Sequence, residues 1–282
     1  EKDAVLIAYA DAFLNPPEAP LRALDRFLRA YFRDLGTVVH LLPFFPSSSD
    51  DGFSVVDYRA VDPAFGSWSD VARIGRRYAL MFDAVVNHVS ARSDMVQGFL
   101  RGEEAYEGFF IPLSPQTDTS KVFRPRSTPL STGFETPGGP VRLWTTFSED
   151  QVDLNYRNPE VLLAVVDLLL FYLAKGASII RLDAAAFLWK ESGTRCLSLP
   201  QTHAIVQLFR EVFRAAAPHA KIITETNVPH EENVSYFGTG SDEAHIVYNF
   251  ALPPLAAHAL LSGSAETLSA WARTLEAPGG GC

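Results

Sequence analysis

The chain has 282 residues, 47% hydrophobic and 20% charged, the balance of a soluble globular protein with room for one large α/β domain. A net charge of −9 and a pI near 5.3 argue against nucleic acid or an anionic membrane as partner and leave a neutral or small polar ligand. No run approaches the roughly 18 apolar residues of a membrane span. The two cysteines, Cys196 and Cys282, lack metal-ligand spacing and suit a reducing compartment, so a cytoplasmic protein is expected.

Residues 4–9 read as a first strand. Leu21, Leu24, Phe27, Leu28, Tyr31, Phe32 and Leu35 recur at helical spacing, which predicts a helix over 21–35 with one buried face, ended by Gly36. Residues 37–42 form a second strand, and strand, helix, strand is a parallel βαβ unit. The turn-rich stretch 43–54 carries Asp50, Asp51 and Phe53 at the carboxyl end of that strand, where βα folds collect binding residues. From the loop alone, a solvated acidic pair is the competing reading. A helix over 68–78 and a third strand over 79–88 come next. Asp83 lies in the middle of this strand, expensive to bury without a partner, and Asn87 and His88 lie at its carboxyl end.

Between 90 and 153 the periodicity fails, punctuated by Pro112, Pro115, Pro125, Pro129, Pro137 and Pro140. A structureless connection of that length is unusual in a compact domain, so it reads as an inserted subdomain. The expected division is barrel 1–89, insertion 90–153 and barrel again 154–282. Arg124-Pro-Arg126 and Trp144 through Gln151 are the insertion's most distinctive parts.

A helix over 159–175 has Pro159 in its first turn and Gly176 at its end. The next strand ends in Arg181-Leu182-Asp183; alternation sends Arg181 and Asp183 to one face and Ile180 and Leu182 to the other. Arg181 is expected to hold Asp183 ionised by lowering its pKa. Taken alone, the pair is equally a structural ion pair. After a helix over 202–217, the strand 220–225 ends in Glu225. Glycoside chemistry requires two carboxyl groups flanking one bond, a nucleophile and a proton donor. Asp183 beside an arginine suits the first role, and Glu225, with no neighbouring cation in sequence, the second. A sixth strand over 242–250, a largely helical 253–275 and an interrupted turn at 278–282 complete the chain. Six strands alternating with helices fit an open doubly wound sheet or an incomplete eight-stranded barrel; residues 8–16 lack a dinucleotide-binding glycine fingerprint, which favours the barrel.

These residues resemble the α-amylase superfamily of glycoside hydrolases and transglycosylases. Asp83-Ala-Val-Val-Asn-His88, Gly176-Ala-Ser-Ile-Ile-Arg-Leu-Asp183 and Ile222-Ile-Thr-Glu225 resemble its first three motifs, in order. Leu41 through Pro46, Asp50-Asp-Gly-Phe53, Arg124-Pro-Arg126, Phe147 with Gln151-Val-Asp153, and Tyr248 through Pro254 are similar to its sucrose phosphorylase branch; Asn227 through Phe237 is more similar to relatives acting on glucosylglycerate. The resemblance implies a (β/α)8 barrel, here with about six of eight strands, and a chain that belongs to a longer enzyme. The family's fourth motif, a His-Asp pair after strand seven, and the strands around it are expected beyond Cys282. It further implies Asp183 as nucleophile and Glu225 as general acid/base, with Asp50, His88 and Arg181 holding glucosyl hydroxyls. Phe53 and Phe147 would line the pocket beside Gln151, and Arg126, or else Arg124, would meet phosphate. The implied reaction transfers a glucosyl group to inorganic phosphate without metal or cofactor. A hydrolase, an amylosucrase-like transglucosylase and a catalytically dead binding domain are the alternatives. The 282-residue chain alone is expected to be inactive.

Overall fold

The computed structural model describes residues 4–275; the turn read at 278–282, with Cys282, lies outside them. In chain order the elements are β1 (Val5–Ala8), α1 (Pro20–Phe27), β2 (Val38–Leu41), α2 (Trp68–Gly75), β3 (Ala79–Ala84), β4 (His88–Ser90), α3 (Asp94–Arg101), β5 (Ser131–Thr136) and β6 (Gly139–Trp144). The chain continues through β7 (Gln151–Asp153), α4 (Pro159–Ala174), β8 (Ala177–Leu182), α5 (Pro200–Ala216), β9 (Lys221–Thr224), α6 (His230–Val234), β10 (Ile246–Val247), α7 (Leu252–Ser262) and α8 (Glu266–Ala272).

Six strands form one curled sheet in the order β1-β2-β3-β8-β9-β10. Every pairing in it is parallel, as helical crossovers between successive strands require. This is the half-barrel that the strand–helix alternation allowed and that the missing glycine fingerprint favoured over a doubly wound sheet. Ile180, Leu182 and Ile222 are fully buried, each worth about 1.5–3 kcal/mol as an apolar side chain removed from water. Phe44, Phe45, Trp68, Phe82, Phe171 and Tyr172 pack ring against ring between β3 and the helices that cover it. Since side chains alternate, burying Ile180 and Leu182 leaves Arg181 and Asp183 on the opposite side.

The register places the chemistry. Leu182 pairs with Thr224, so Asp183 and Glu225 are the first residues beyond two neighbouring strands. Asp83 pairs with Arg181 one strand over. Asp183 N–H donates to Ala84 O at 3.1 Å and Glu225 N–H to Leu182 O at 3.0 Å, which carries the ladder one residue past each strand end.

Four sequence expectations are corrected. The helix over 21–35 stops at Phe27 and becomes a wider π turn over Leu28–Phe32. The wider turn rotates the residues within it and after it, leaving Tyr31 69% and Leu35 65% exposed rather than on the buried face. The third strand divides: β3 ends at Ala84, and His88 belongs to β4, which pairs antiparallel with β7. The sixth strand shrinks to two residues, Ile246–Val247. The helix over 253–275 breaks at Gly263, whose φ of 70° closes α7 in the left-handed conformation natural to glycine. Residues 90–153 hold α3 and the antiparallel hairpin β5–β6, regular structure that the proline pattern concealed.

Candidate active site

At the carboxyl ends of β3, β8 and β9 one guanidinium faces three carboxylates. Arg181 Nη1 donates to Asp83 Oδ1 at 2.5 Å and to Asp183 Oδ1 at 2.9 Å, and its Nη2 lies 4.0 Å from Glu225 Oε2. The rings of Phe53 and Tyr248 each hold the Arg181 guanidinium at 5.6 Å from their centroids, close enough for cation–π attraction. Asp83 is fully buried and has a second partner, His40 Nε2 at 2.8 Å. The cost of burying Asp83 is therefore met by a charge and a ring nitrogen, neither of which lies near it in sequence.

Burial pushes the Asp183 carboxyl above its ordinary value, with the Arg181 charge opposing. The expectation of a lowered pKa fails because both groups leave water together, and the lost hydration of the anion outweighs one ion pair. Glu225 is also pushed up, by burial first and then by the negative charge of Asp183. The backbone N–H of Ala184 donates to Glu225 Oε2 at 2.9 Å. Ala184 adopts φ 49° and ψ 35°, a left-handed conformation costly for a residue with a Cβ; it turns the chain straight after Asp183 and aims that N–H at Glu225. Arg181 lies closer to Asp183, at 2.9 Å, than to Glu225, at 4.0 Å, so its charge opposes burial more strongly at Asp183.

The facing wall comes from the loop after β2 and from β4 and β7. His88 Nε2 is 3.0 Å from Phe53 O. Asp50 accepts from Arg126 Nη2 at 3.0 Å and from Gln151 Nε2 at 2.9 Å. Burial works against the Asp50 charge, but these two donors hold its carboxyl below the ordinary range. Phe147 lies 5.2 Å from the His88 ring and under the Arg126 guanidinium. Asp150 pins this wall. Its Oδ2 accepts from Ser48 and Ser49, each at 2.5 Å, and from Ser54 at 2.8 Å, while Ser90 reaches its Oδ1 at 3.3 Å.

Asp183, Glu225, Asp50, Phe53, His88, Phe147, Gln151, Arg181 and Arg126 all line one cavity of about 290 Å³, the size of a small-ligand site. Arg124 is not among its lining residues; its guanidinium donates to Thr128 O. The structure adds Tyr9 and Ala184 to the wall and places Asp51 there too. Tyr9 comes directly after β1, at the end of the sheet that carries the other groups, and that position was its available signal. His40, a lone polar residue in the apolar run of β2, was the sequence signal for the partner of Asp83.

Residues 28–276 match the family described as alpha amylase, catalytic domain. Glucosylglycerate phosphorylase of Spirochaeta thermophila is 57% identical over 99% of this chain and 47% of its own length. Sucrose phosphorylase of Streptococcus mutans is 32% identical over 95% of this chain and 56% of its own. The crystal structure of sucrose 6F-phosphate phosphorylase from Thermoanaerobacter thermosaccharolyticum superposes with a TM-score of 0.87 at 26% identity, covering 99% of this chain and 58% of that one. The chain thus spans about half the length of the curated relatives it matches.

Proposed function

The chain belongs to the alpha-amylase family, through its catalytic domain, and on that premise we propose that it carries the glucosyl-transfer site of a retaining glycoside phosphorylase. The donor is an α-glucoside of glycerate, the acceptor inorganic phosphate and the product α-glucose 1-phosphate. One observation carries this reading: Asp183 and Glu225 extend two adjacent strands into one cavity, with Arg181 reaching both. Glycerate is preferred over fructose as the leaving group because the relative at 57% identity is a glucosylglycerate phosphorylase, and the sucrose phosphorylase stands at 32%.

In this reading Asp183 attacks the anomeric carbon while Glu225 protonates the departing glycerate oxygen, leaving a glucosyl ester on Asp183. Glu225, now ionised, takes a proton from phosphate as a phosphate oxygen attacks that ester, so configuration is retained overall. Glycerate and phosphate are both anions and occupy the acceptor side in turn. Arg126, 44% exposed at the cavity mouth, is the cation that meets either one, and doing so requires it to share or leave Asp50. His88, Asp50, Gln151 and Arg181 hold the sugar hydroxyls against Phe53 and Phe147. The division into barrel 1–89 and 154–282 with an insertion at 90–153 belongs to the same reading, since the insertion supplies Arg126, Phe147 and Gln151. Two cysteines without a disulfide framework, Cys196 being a buried free thiol, favour the cytoplasm.

The test is to incubate the full-length protein with α-glucosylglycerate or sucrose, with and without phosphate. Phosphate-dependent α-glucose 1-phosphate, formed faster from glucosylglycerate, is expected. Free glucose at the same rate without phosphate would replace phosphorolysis by hydrolysis.

A further inference from the structure

Behind the cavity wall four buried side chains meet: Asn87, His88, Asp153 and Lys190. Of these only His88 lines the cavity. Lys190 Nζ donates to Asp153 Oδ2 at 2.6 Å and to Asn87 Oδ1 at 2.7 Å. Asn87 Nδ2 lies 3.3 Å from Asp153 Oδ2 and 3.1 Å from His88 Nδ1. Asp153 is completed by Thr146, whose N–H and Oγ1 donate to it at 2.8 and 2.6 Å.

The donor and acceptor chemistry of these groups allows one arrangement. An ammonium only donates and a carboxylate only accepts, so the Asn87 carbonyl must face Lys190 and its amide nitrogen must face Asp153. The second amide hydrogen then meets His88 Nδ1, which has to accept it. A neutral imidazole that accepts at Nδ1 carries its proton on Nε2. On the far side of the ring, Nε2 faces the Phe53 carbonyl at 3.0 Å, an acceptor that agrees with that placement. Gln151 Nε2 is also 3.1 Å from His88 Nε2, but its hydrogens go to Asp50 Oδ2 and Phe53 O.

We propose that Lys190 is a positioning residue that, through the Asn87 amide, fixes His88 in its Nε2–H tautomer, so that the cavity-side nitrogen of His88 is a donor, shared between the Phe53 carbonyl and a sugar hydroxyl, rather than a lone pair. An apolar side chain of equal length fills the same volume but leaves the Asn87 amide free to turn over. The consequence for substrate rests on the reading of His88 as a sugar-binding group; the tautomer itself does not.

Ring ¹⁵N–¹H correlation spectra of the labelled full-length protein test this without substrate, the His88 signals being assigned by their loss in His88→Gln. The unmodified protein is expected to show a protonated Nε2 and an acceptor Nδ1. Lys190→Met is expected to give a mixed tautomer and to lower kcat/KM for the glucosyl donor roughly tenfold, the scale of one lost hydrogen bond. Asn87→Asp is expected to move the proton to Nδ1, because a carboxylate there can only accept. A proton on Nδ1 in the unmodified protein, or an unchanged Nε2–H in either variant, overturns the proposal. If Lys190→Met does not fold, the smaller apolar Lys190→Leu takes its place with the same expected outcome, and the unmodified protein and Asn87→Asp decide the tautomer. A protein with the expected tautomers but no phosphorolysis would refute the proposed function and leave this inference standing.

Discussion

Asp183 and Glu225 are carboxyls whose values are raised in the folded chain, chiefly by burial, and this fixes a sign. A carboxyl raised on folding contributes stability that is present below its unfolded value and lost as pH rises through the folded one. At pH above its folded value an ionised Asp183 therefore works against the fold. Asp183→Asn should raise Tm at pH 7 and change it little near pH ~3.5, below the ordinary carboxyl range. A thermal shift series that finds Asn destabilising at pH 7 would contradict the assignment of burial as the dominant cause. The same variant should lose essentially all glucosyl transfer. Glu225→Gln should depend on the leaving group, slowing a donor with a poor leaving group about 10²–10⁴-fold and an activated donor such as α-glucosyl fluoride far less, since only the former needs the proton. Equal losses on both donors would take the acid/base role away from Glu225.

Among the elements, those with strong local signals were legible. The helix α4 announces itself through Pro159 and Gly176, and β8 and β9 through apolar runs ended by charges. The π turn after Phe27 was not legible, since Leu21 through Leu35 keep helical spacing whichever way the backbone winds. Nor were β4 and β7, three residues each, which exist because they pair with one another across more than sixty residues. The loop that carries Asp50 and Phe53 is held by a device equally invisible in sequence, the serine hydroxyls around Asp150. Those hydroxyls offset burial and hold the Asp150 carboxyl below its ordinary value. Asp150→Ala leaves Ser48, Ser49 and Ser54 without their shared acceptor. It should destabilise the protein by about 1–3 kcal/mol and, on the proposed function, raise KM for the donor more than it lowers kcat, because the loop carries Asp50 and Phe53 and neither Asp183 nor Glu225. Steady-state kinetics with a denaturation curve would separate these effects; a drop in kcat with KM unchanged would show that the loop serves the chemical step.

At the scale of the whole molecule, the sheet has two outer strands, β1 and β10, each paired on one side only among the described residues. Val5 and Ile7 on β1 are 48% and 54% exposed, and Leu260 and Leu261 on α7 reach 85% and 90%. Unpaired backbone groups beside exposed apolar side chains invite association. The 282-residue chain on its own should therefore self-associate with rising concentration in sedimentation velocity. A chain extended to the length of its relatives should not, if the added part covers these faces. A monodisperse 282-residue monomer at high concentration would show that the exposed edge is tolerated. Replacing Leu260 and Leu261 by Lys then gives the converse readout: less association of the short chain, and a loss of stability in the long one.

Composition argued against nucleic acid as a partner, and the alternation of strands and helices, without a dinucleotide-binding glycine fingerprint, favoured the parallel half-barrel. Charged residues at strand ends pointed to Arg181, Asp183 and Glu225, and the resemblance to the α-amylase superfamily added places for Asp50, Phe53, His88, Arg126, Phe147 and Gln151 in the same cavity. The strand-end signal is local, written in period and in which residue closes each apolar run. Tertiary structure alone decided the electrostatics: that Arg181 serves Asp83, Asp183 and Glu225 together, that burial outweighs that ion pair at Asp183, and that Lys190 reaches Asn87 across 103 residues. Desolvation and hydrogen-bond direction depend on what surrounds a group in three dimensions, and although Arg181 is near Asp183 in the chain, Asp83 and Glu225, whose charges also act on it, are not.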